Sequence, residues 1–342
     1  MADNTDSAIA VLGASASGKT TFLGALYIAI SRHNQQMREE GRADDNLHLV
    51  GVDSASNEIL KDLTGQLTAR TFPEPTVGIE EFSWQLRGDR MQLKPRQVFG
   101  MSVGKKREKV PTKITLNLAD PAGGISKQPG AGGSYHQNRD FLLQKLKESR
   151  GIVFLFDPIK EFDKGETFDH TFGIILDLAN EMLQSDDFDG NYLPHNVAVC
   201  ISKFDEPRVL QTAHDADLLI TDTDDQHSFP RVSDDDAREL YQQLCKVSLS
   251  GTADLALNTV EDYFRPERIR YFVTSAIGFY MDRGRRQVDL SDYQNVIEDP
   301  SQLPAQQGGQ SARIRGQVHP INVLEPILWA GGHWPANTGR RA

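Results

Sequence analysis

The residues of this chain best suited to chemistry stand near its amino end, in a run of glycine and hydroxyl residues. Residues 13–20 read Gly-Ala-Ser-Ala-Ser-Gly-Lys-Thr, which satisfies the P-loop pattern. Its glycines let the backbone wrap tightly, so that successive amide N–H groups can point inward at phosphate oxygens. Lys19 would reach the β- and γ-phosphates as a positive charge, and the Thr20 hydroxyl would bind Mg²⁺. The residues expected to contact a bound nucleotide here are Gly13, Ser15, Ala16, Ser17, Gly18, Lys19, Thr20 and Thr21.

A second candidate group follows an alternating apolar stretch at 114–118, where the chain reads Asp-Pro-Ala-Gly from Asp120 to Gly123. A carboxylate at a strand end can hold Mg²⁺ through water, and the Gly123 amide can sense a γ-phosphate. By itself Asp-x-x-Gly also fits a surface turn, and its place downstream of the P-loop favours the phosphate interpretation. Thr76, in an irregular segment after Pro75, is expected to complete the Mg²⁺ shell. The competing threonines are Thr64, Thr68 and Thr71.

A third candidate group is the tetrapeptide Ser-Lys-Phe-Asp at 202–205, which closes another apolar stretch. The Asp205 carboxylate can accept from both N1–H and the exocyclic amine of guanine. Adenine has an acceptor at N1 and no amine at C2, so it would leave a buried charge unpaired. The stem of Lys203 can lie along the base or sugar, and backbone amides of Ser275 and Ala276 could meet the guanine oxygen. The alternative interpretation of 202–205 is a surface ion pair after a strand.

All of these motifs need strands that end where the motifs begin. Short apolar stretches predict buried strands at 8–12, 151–156 and 197–201, and a last strand is predicted at 268–273. Strands are also predicted at 47–52 (an edge), 80–86 and 114–118. Helical spacing is present at 20–31, 58–67, 172–183 and 237–247, while the polar residues 34–46 predict a loop. Because strands alternate with helices, the chain is expected to form an α/β three-layer sandwich with a mainly parallel sheet covered on both faces.

Composition narrows the class of protein. Hydrophobic residues make up 38% of the chain and charged residues 25%, which is typical of a chain with a sizeable core. The first ten residues lack the basic segment of a signal peptide, and the longest apolar run, 22–30, is too short to span a bilayer. We therefore expect no transmembrane segment and a cytoplasmic location. The net charge of -11 argues against nucleic acid as the main partner, although residues 94–113 carry seven Lys or Arg and one Glu.

The length of 342 residues alone suggests roughly two domains, but the motifs spread over most of the chain. We expect a single domain over 7–335 with flexible tails at 1–6 and 336–342. Three stretches look like insertions, at about 95–111, 206–236 and 282–317. The acidic stretch 206–236 lacks the glycine and oxygen ligands of an EF-hand loop. The two cysteines and nine histidines lack metal-ligand spacing, and Cys200 is expected to be a small buried hydrophobe.

In chain order, the P-loop, a threonine, Asp-x-x-Gly, Lys-x-Asp and Ser-Ala follow one another at strand ends. This order resembles the Ras-like and translation-factor-related GTPases, the TRAFAC class of P-loop NTPases. Within that class the chain is similar to bacterial GTPases called double-GTPase domains, which occur in multi-gene systems with adaptor proteins. The segments that carry this narrower resemblance are Asp120–Gly124, Phe156–Pro158 and Pro320–Trp329.

The resemblance implies a G domain that binds GTP or GDP with Mg²⁺ and works as a switch with a regulatory or adaptor protein. It implies catalytic roles for Lys19, Thr76 and Gly123. The metal would be held by Thr20, Thr76 and Asp120. Guanine would be held by Lys203, Asp205, Ser275 and Ala276.

Two residues depart from the pattern of that class. Ser202 replaces the usual Asn or Thr of the base-binding motif, and Gly124 stands where many of these GTPases have a Gln that orients the attacking water. We therefore expect slow intrinsic hydrolysis, and the internal substitutes for the Gln are Gln128, His136 and Gln137. The alternatives are a nucleotide-binding scaffold that does not hydrolyse and a P-loop ATPase, which Asp205 disfavours.

Overall fold

The computed structural model describes residues 7–14, 17–73, 80–98, 101–120, 132–164, 166–184, 188–221, 227–248, 253–282, 284, 288–298 and 312–333. Its strands are β1 (Ser7–Gly13), β2 (Asn46–Gly51), β3 (Glu80–Val98), β4 (Met101–Asp120), β5 (Gly151–Phe156), β6 (Asn196–Ile201), β7 (Leu219–Thr221), β8 (Pro230–Val232), β9 (Ile269–Val273), β10 (Val296–Glu298) and β11 (Ala312–Ile314). Its helices are α1 (Lys19–Glu39), α2 (Ser54–Thr68), α3 (Gly132–Glu148), α4 (Pro158–Lys164), α5 (Glu166–Gln184), α6 (Pro207–Asp215), α7 (Ala237–Val247), α8 (Ala253–Tyr263) and α9 (Leu324–Ala330). Over the described residues, none of these helices is both long and apolar enough to cross a bilayer.

The main sheet has seven strands in the order β2-β3-β4-β1-β5-β6-β9. The adjacent strands β4, β1, β5, β6 and β9 are parallel to one another. Strand β3 is antiparallel to both of its neighbours, β2 and β4. Because parallel strands point the same way, the carboxyl ends of β1, β5, β6 and β9 meet at one edge of the sheet. The predicted mainly parallel sheet is confirmed.

The core lies on both faces of the sheet, because successive residues of a strand point to opposite faces. On one face, Ile9 and Val11 of β1 pack with apolar residues of α1, α2 and α9. On the other face, Ala10 and Leu12 pack with α3, α5, α7 and α8. Cys200 of β6 is fully buried within the first of these layers, as expected. The result is the predicted three-layer α/β sandwich of the P-loop NTPase type.

Helix α1 is longer than the sequence analysis predicts. Residues 34–39, predicted as loop, continue the helix to Glu39, so the loop prediction is wrong there. The physical reason is the spacing of two buried residues, because Met37 lies seven positions after Ile30 and both are buried. Two turns of helix keep them on the same face, and Asn34, which lies on that face between them, hydrogen-bonds to the backbone of Leu47.

Strand β2 is an edge strand, as predicted, and two asparagine side chains bind its outer backbone groups. The Asn34 amide accepts from the Leu47 N–H (2.9 Å) and donates to the Leu47 carbonyl (2.6 Å). Asn57 likewise accepts from the Gly51 N–H (2.9 Å) and donates to the Gly51 carbonyl (3.5 Å). The strand therefore hydrogen-bonds to β3 on one side and to side-chain amides on the other.

Strands β3 and β4 form a long hairpin whose inner half belongs to the sheet. Pairing of β2 with β3 reaches Asp89, and pairing of β1 with β4 begins at Ile114. Beyond these points, among the strands that the structure describes, β3 and β4 pair only with each other, as far as Val98 and Met101. The described residues of the basic stretch 95–111, which are 95–98 and 101–111, lie in this outer half.

The other two stretches that look like insertions contain small elements. Residues 206–236 include α6 and the β7–β8 pair, and residues 282–317 include the β10–β11 pair. That these stretches are insertions into a single domain spanning 7–335 stays a prediction. The predicted tails at 1–6 and 336–342 lie outside the described residues.

Candidate functional site

The P-loop run connects the end of β1 to the start of α1, where phosphate binding requires it. Gly18 precedes the helix with φ 92°, a left-handed conformation that favours glycine. At Gly13, a Cβ atom would lie 2.9 Å from the Leu155 carbonyl oxygen of β5, so only glycine fits without a shift of the strands. Both glycines of the motif are thus explained by backbone geometry. Ser15 and Ala16 lie outside the described residues.

Lys19 lies in the first turn of α1 and is only 5% exposed. Its Nζ donates to the carbonyl oxygens of Gly13 (2.8 Å) and Ala14 (3.1 Å), so the ammonium group is held inside the loop. Both acceptors are neutral, and a phosphate would offer this charge a stronger, charge-assisted partner. The Ser17 hydroxyl is also buried there, with no hydrogen-bond partner among the described residues. These polar groups suit a nucleotide phosphate.

The structure describes only some of the residues predicted to bind Mg²⁺. Thr20 lies half-buried in the first turn of α1. Strand β4 ends at Asp120, two residues after Leu118, whose partner in the parallel register is Val11, two residues before Gly13. A hydroxyl and a carboxylate at this point are the hard oxygen ligands that Mg²⁺ requires. The Asp120 side chain, Thr76 and Gly123 lie outside what the structure describes.

The segment after β6 is tied to the end of β5. The Ser202 backbone N–H and side-chain hydroxyl both donate to the Phe156 carbonyl oxygen, each at 2.9 Å. The hydroxyl that Ser202 retains therefore joins two strand ends. Lys203 has φ 59°, and its Nζ donates to Oδ2 of Asp157 at 2.7 Å. The chain then passes through the fully buried Phe204 to Asp205.

Asp205 lies buried beside the loop that follows β9. Its Oδ1 accepts from the Ser275 hydroxyl (2.5 Å), and that hydroxyl oxygen accepts from the Gly278 N–H (2.7 Å). Burial raises the pKa of the Asp205 carboxyl from 3.8 to about 6. The Ser275 backbone N–H, expected to face guanine, instead donates to the Ile321 carbonyl oxygen. Ser275 thus enters the site through its hydroxyl.

A second segment of the chain holds this loop in place. Ile277 accepts from the backbone N–H of His319, and the Asn295 side chain donates to the same Ile277 carbonyl at 3.1 Å. Gly278 has φ 67°, and a Cβ atom there would lie 1.9 Å from the His319 carbonyl oxygen. This support could not be predicted from the strand that ends at 273, because it comes from Asn295 and His319, which lie 22 and 46 positions further along the chain.

The structure brings Lys19, Lys203, Asp205 and Ser275 to the same edge of the sheet, since β1, β6 and β9 all end there. Asp157, which belongs to none of the predicted site motifs, directly follows β5 at the same edge of the sheet and contacts Lys203. The signal for it was an aspartate directly after a buried strand, at the same kind of strand end as the other motifs.

Comparisons with known proteins give matches in structure only. No protein-family model matches the chain, and no curated protein matches its sequence. A variant of Era from Aquifex aeolicus bound to GDP·AlF4- is 12% identical, with a TM-score of 0.30, over 80% of this chain and 52% of that one. The Ski7 GTPase-like domain of S. cerevisiae bound to GTP is 15% identical, with a TM-score of 0.34, over 80% and 43%.

Sup35 complexed with GDP is 14% identical, with a TM-score of 0.29, over 80% of this chain and 38% of that one. This chain therefore spans about half or less of the length of the proteins it matches. At these TM-scores the superpositions are loose, and the assignment of the fold depends on the strand order and the two-sided core of the chain itself.

Proposed function

We propose that this chain binds guanine nucleotides with Mg²⁺ at the carboxyl edge of its sheet and hydrolyses GTP slowly, as a molecular switch. The observation that carries the proposal is one row of strand ends that holds both a buried ammonium group and a buried carboxylate. The Lys19 ammonium group lies at the end of β1, where it donates to the Gly13 carbonyl oxygen, and the buried Asp205 follows the end of β6. The phosphates of a nucleotide are negatively charged and suit the ammonium group, and the N–H donors of a guanine base suit the carboxylate.

The Asp205 carboxylate supports guanine over adenine. An ionised carboxylate has two oxygens and about four acceptor positions, and the Ser275 hydroxyl occupies one of them on Oδ1. Guanine offers two adjacent N–H donors to such a group, and adenine offers an acceptor at N1 instead. Because an unsatisfied buried charge is costly, the carboxylate would select guanine. The Ala276 amide is proposed to contact the base as well.

The proposed metal and catalytic residues gather around the P-loop. Thr20, Asp120 and Thr76 would hold Mg²⁺, which neutralises charge on the phosphate oxygens when it is bound. Lys19 would bind the β- and γ-phosphates, and the Gly123 amide would report the presence of the γ-phosphate. With Gly124 in place of a glutamine, no side chain at that position orients the attacking water. A regulatory or adaptor protein is therefore proposed to complete the active state.

Base selectivity tests this proposal. The purified chain should bind GTP in the presence of Mg²⁺ at least about 100-fold more tightly than ATP, and EDTA should weaken GTP binding. Asp205→Asn exchanges an acceptor for a donor, and xanthine has a carbonyl where guanine has its amine. The variant should therefore shift from GTP toward xanthosine triphosphate, by about 1–3 kcal/mol for each exchanged contact.

The matched control is Asp215→Asn, the same change at an exposed residue of α6, which should leave both affinities at the parental values. Tighter binding of ATP than GTP by the parent would favour the ATPase alternative. Retention of full GTP preference by Asp205→Asn would mean that this carboxylate does not read the base.

A further inference from the structure

We propose that Asp157 is a positioning residue for nucleotide binding, which holds the Lys203 side chain in place under the sugar and base. The inference rests on the proposed function, because it concerns how the same site receives its nucleotide. Asp157 comes directly after β5, and Lys203 two residues after β6. Nothing in the pattern of the motifs assigns Asp157 this task.

Both oxygens of the Asp157 carboxylate are committed. Oδ1 accepts from the backbone N–H groups of Ile159 (3.0 Å) and Lys160 (3.2 Å) at the start of α4. Oδ2 accepts from Nζ of Lys203 at 2.7 Å. The Asp157 side chain is fully buried, whereas that of Lys203 is 38% exposed. The Asp157 carboxylate is thus held in place by α4 and by burial. Without the ion pair, the partly exposed Lys203 side chain would be mobile.

The order of the strands explains why this contact matters for a nucleotide. Strand β5 lies between β1 and β6 in the sheet, and neighbouring strands are about 4.8 Å apart. A nucleotide with its phosphates at the β1 end and its base at Asp205 must therefore cross the end of β5, over about 10 Å. The Lys203 side chain runs from the β6 end to the β5 end. Its stem lies along the path that the sugar and base would take.

The ion pair orders this stem before the nucleotide arrives. A lysine side chain has four rotatable bonds and loses freedom when it is held against a ligand. With the ammonium group already fixed by Asp157, less freedom remains to be lost on binding. Asp157 would therefore strengthen binding without contacting the nucleotide.

The test is a double-mutant cycle with Asp157→Asn and Lys203→Met, measured as the dissociation constant for GTP with Mg²⁺. Asparagine keeps an acceptor for the helix N–H groups and removes the charge that holds Lys203. Each single change should weaken GTP binding about three- to tenfold, the cost of ordering one long side chain. The double variant should be no weaker than Lys203→Met alone. The ratio of GTP to xanthosine triphosphate affinity should not change, because Asp205 is intact.

The matched control is Asp163→Asn in the same helix, α4, where the carboxylate forms an exposed pair with Arg208. This variant should bind GTP like the parent, and melting temperatures should show that all variants are folded. Parental affinity in Asp157→Asn, or additive effects in the double variant, would overturn the inference. If Asp157→Asn does not fold, parental GTP affinity in Lys203→Met alone would overturn it. Absence of GTP binding by the parent would instead contradict the proposed function.

Discussion

At the scale of single residues, burial gives Asp205 two opposite responses to pH. The pKa of its carboxyl is about 6 in the folded protein against 3.8 for an unperturbed group, because burial disfavours the charge. A folded-state pKa above the unfolded one means that protonation favours folding. This contribution to stability is complete below pH 3.8 and is lost as the pH rises through about 6.

The first prediction compares the parent with Asp205→Asn between pH 5 and 8. As the pH falls from 8 to 5, the parent should gain about 1 kcal/mol of stability relative to the variant, because pH 5 lies only part of the way from the folded pKa of about 6 to the unfolded value of 3.8. Chemical denaturation of both proteins without nucleotide measures this difference. Other carboxylates titrate in both proteins alike, so only their difference is informative. A constant difference across this range would mean that the Asp205 pKa is not raised.

Nucleotide binding should respond to pH in the opposite direction. A protonated Asp205 cannot accept from both N–H donors of guanine, so GTP affinity should fall below about pH 6. Calorimetry of the parent at pH 5 and pH 8 would show this, and Asp205→Asn should lack the same dependence.

Single residues differ in how far their roles could be predicted. Lys19 and Asp205 stand in spaced patterns whose chemistry can be stated in advance, and the structure holds both at strand ends. Asp157 precedes a proline and a helix, which is the ordinary position of an N-cap, and it does cap α4. Its second partner, Lys203, lies 46 positions away, and no local pattern predicts such a contact.

At the scale of elements, the loop after β9 depends on its approach to the segment that contains His319. Gly278 has φ 67°, and a Cβ atom there would overlap the His319 carbonyl oxygen. Its N–H also donates to the Ser275 hydroxyl, which in turn donates to Asp205. A change at this glycine would therefore alter both the packing of the loop and the base-binding carboxylate.

The second prediction is that Gly278→Ala lowers stability by about 1–3 kcal/mol or more, because a non-glycine residue is strained here in addition to the clash. GTP affinity should fall together with stability. Gly65→Ala is the matched control, since Gly65 lies in helix α2 with open space around its Cβ position. That change should raise stability by about 0.5–1 kcal/mol. Equal denaturation midpoints for the two variants would contradict the account of the loop.

Elements with a clear apolar pattern in their sequence could be predicted. Elements that depend on contacts with distant parts of the chain could not. Continuous apolar stretches identified β1, β5 and β6, because strands covered on both faces need such residues. Helix α3 begins Gly-Gly-Ser, and among its side chains that the structure describes, from Arg139 onward, the buried ones are Leu142, Leu143 and Leu146. Helix α9 contains Pro326 in its first turn, a residue that sequence patterns usually place at a helix boundary. The outer halves of β3 and β4 are too charged to resemble strands.

At the scale of the whole molecule, the proposed switch would have to obtain part of its catalytic machinery from elsewhere. Hydrolysis of GTP needs an oriented water and stabilisation of charge on the transferred phosphate. The P-loop and Mg²⁺ would supply the second. Gly124 offers no side chain for the first, and it lies with Gln128 outside the described residues. His136 and Gln137 belong to α3, with side chains that the structure does not describe.

The third prediction is that the isolated chain hydrolyses GTP at about 10⁻³ s⁻¹ or more slowly, as switch GTPases do without a partner. Single-turnover hydrolysis of the parent measures this rate. The variants Gln128→Ala, His136→Ala and Gln137→Ala show whether an internal residue contributes. A rate near 1 s⁻¹ without a partner, unchanged in all three variants, would contradict the prediction. No hydrolysis even after addition of cell extract would favour the non-hydrolysing scaffold.

The asparagines that bind the outside of β2 have a consequence for encounters between copies of the chain. An edge strand with open N–H and C=O groups is a template on which another strand can form, and so a starting point for aggregation. Asn34 and Asn57 satisfy the outer backbone groups of Leu47 and Gly51. At most Leu49 remains between them, which is too little for a ladder of strand pairs. These two side chains stand where an eighth strand would bind beside β2, and they oppose growth of the sheet from one molecule into the next at that edge.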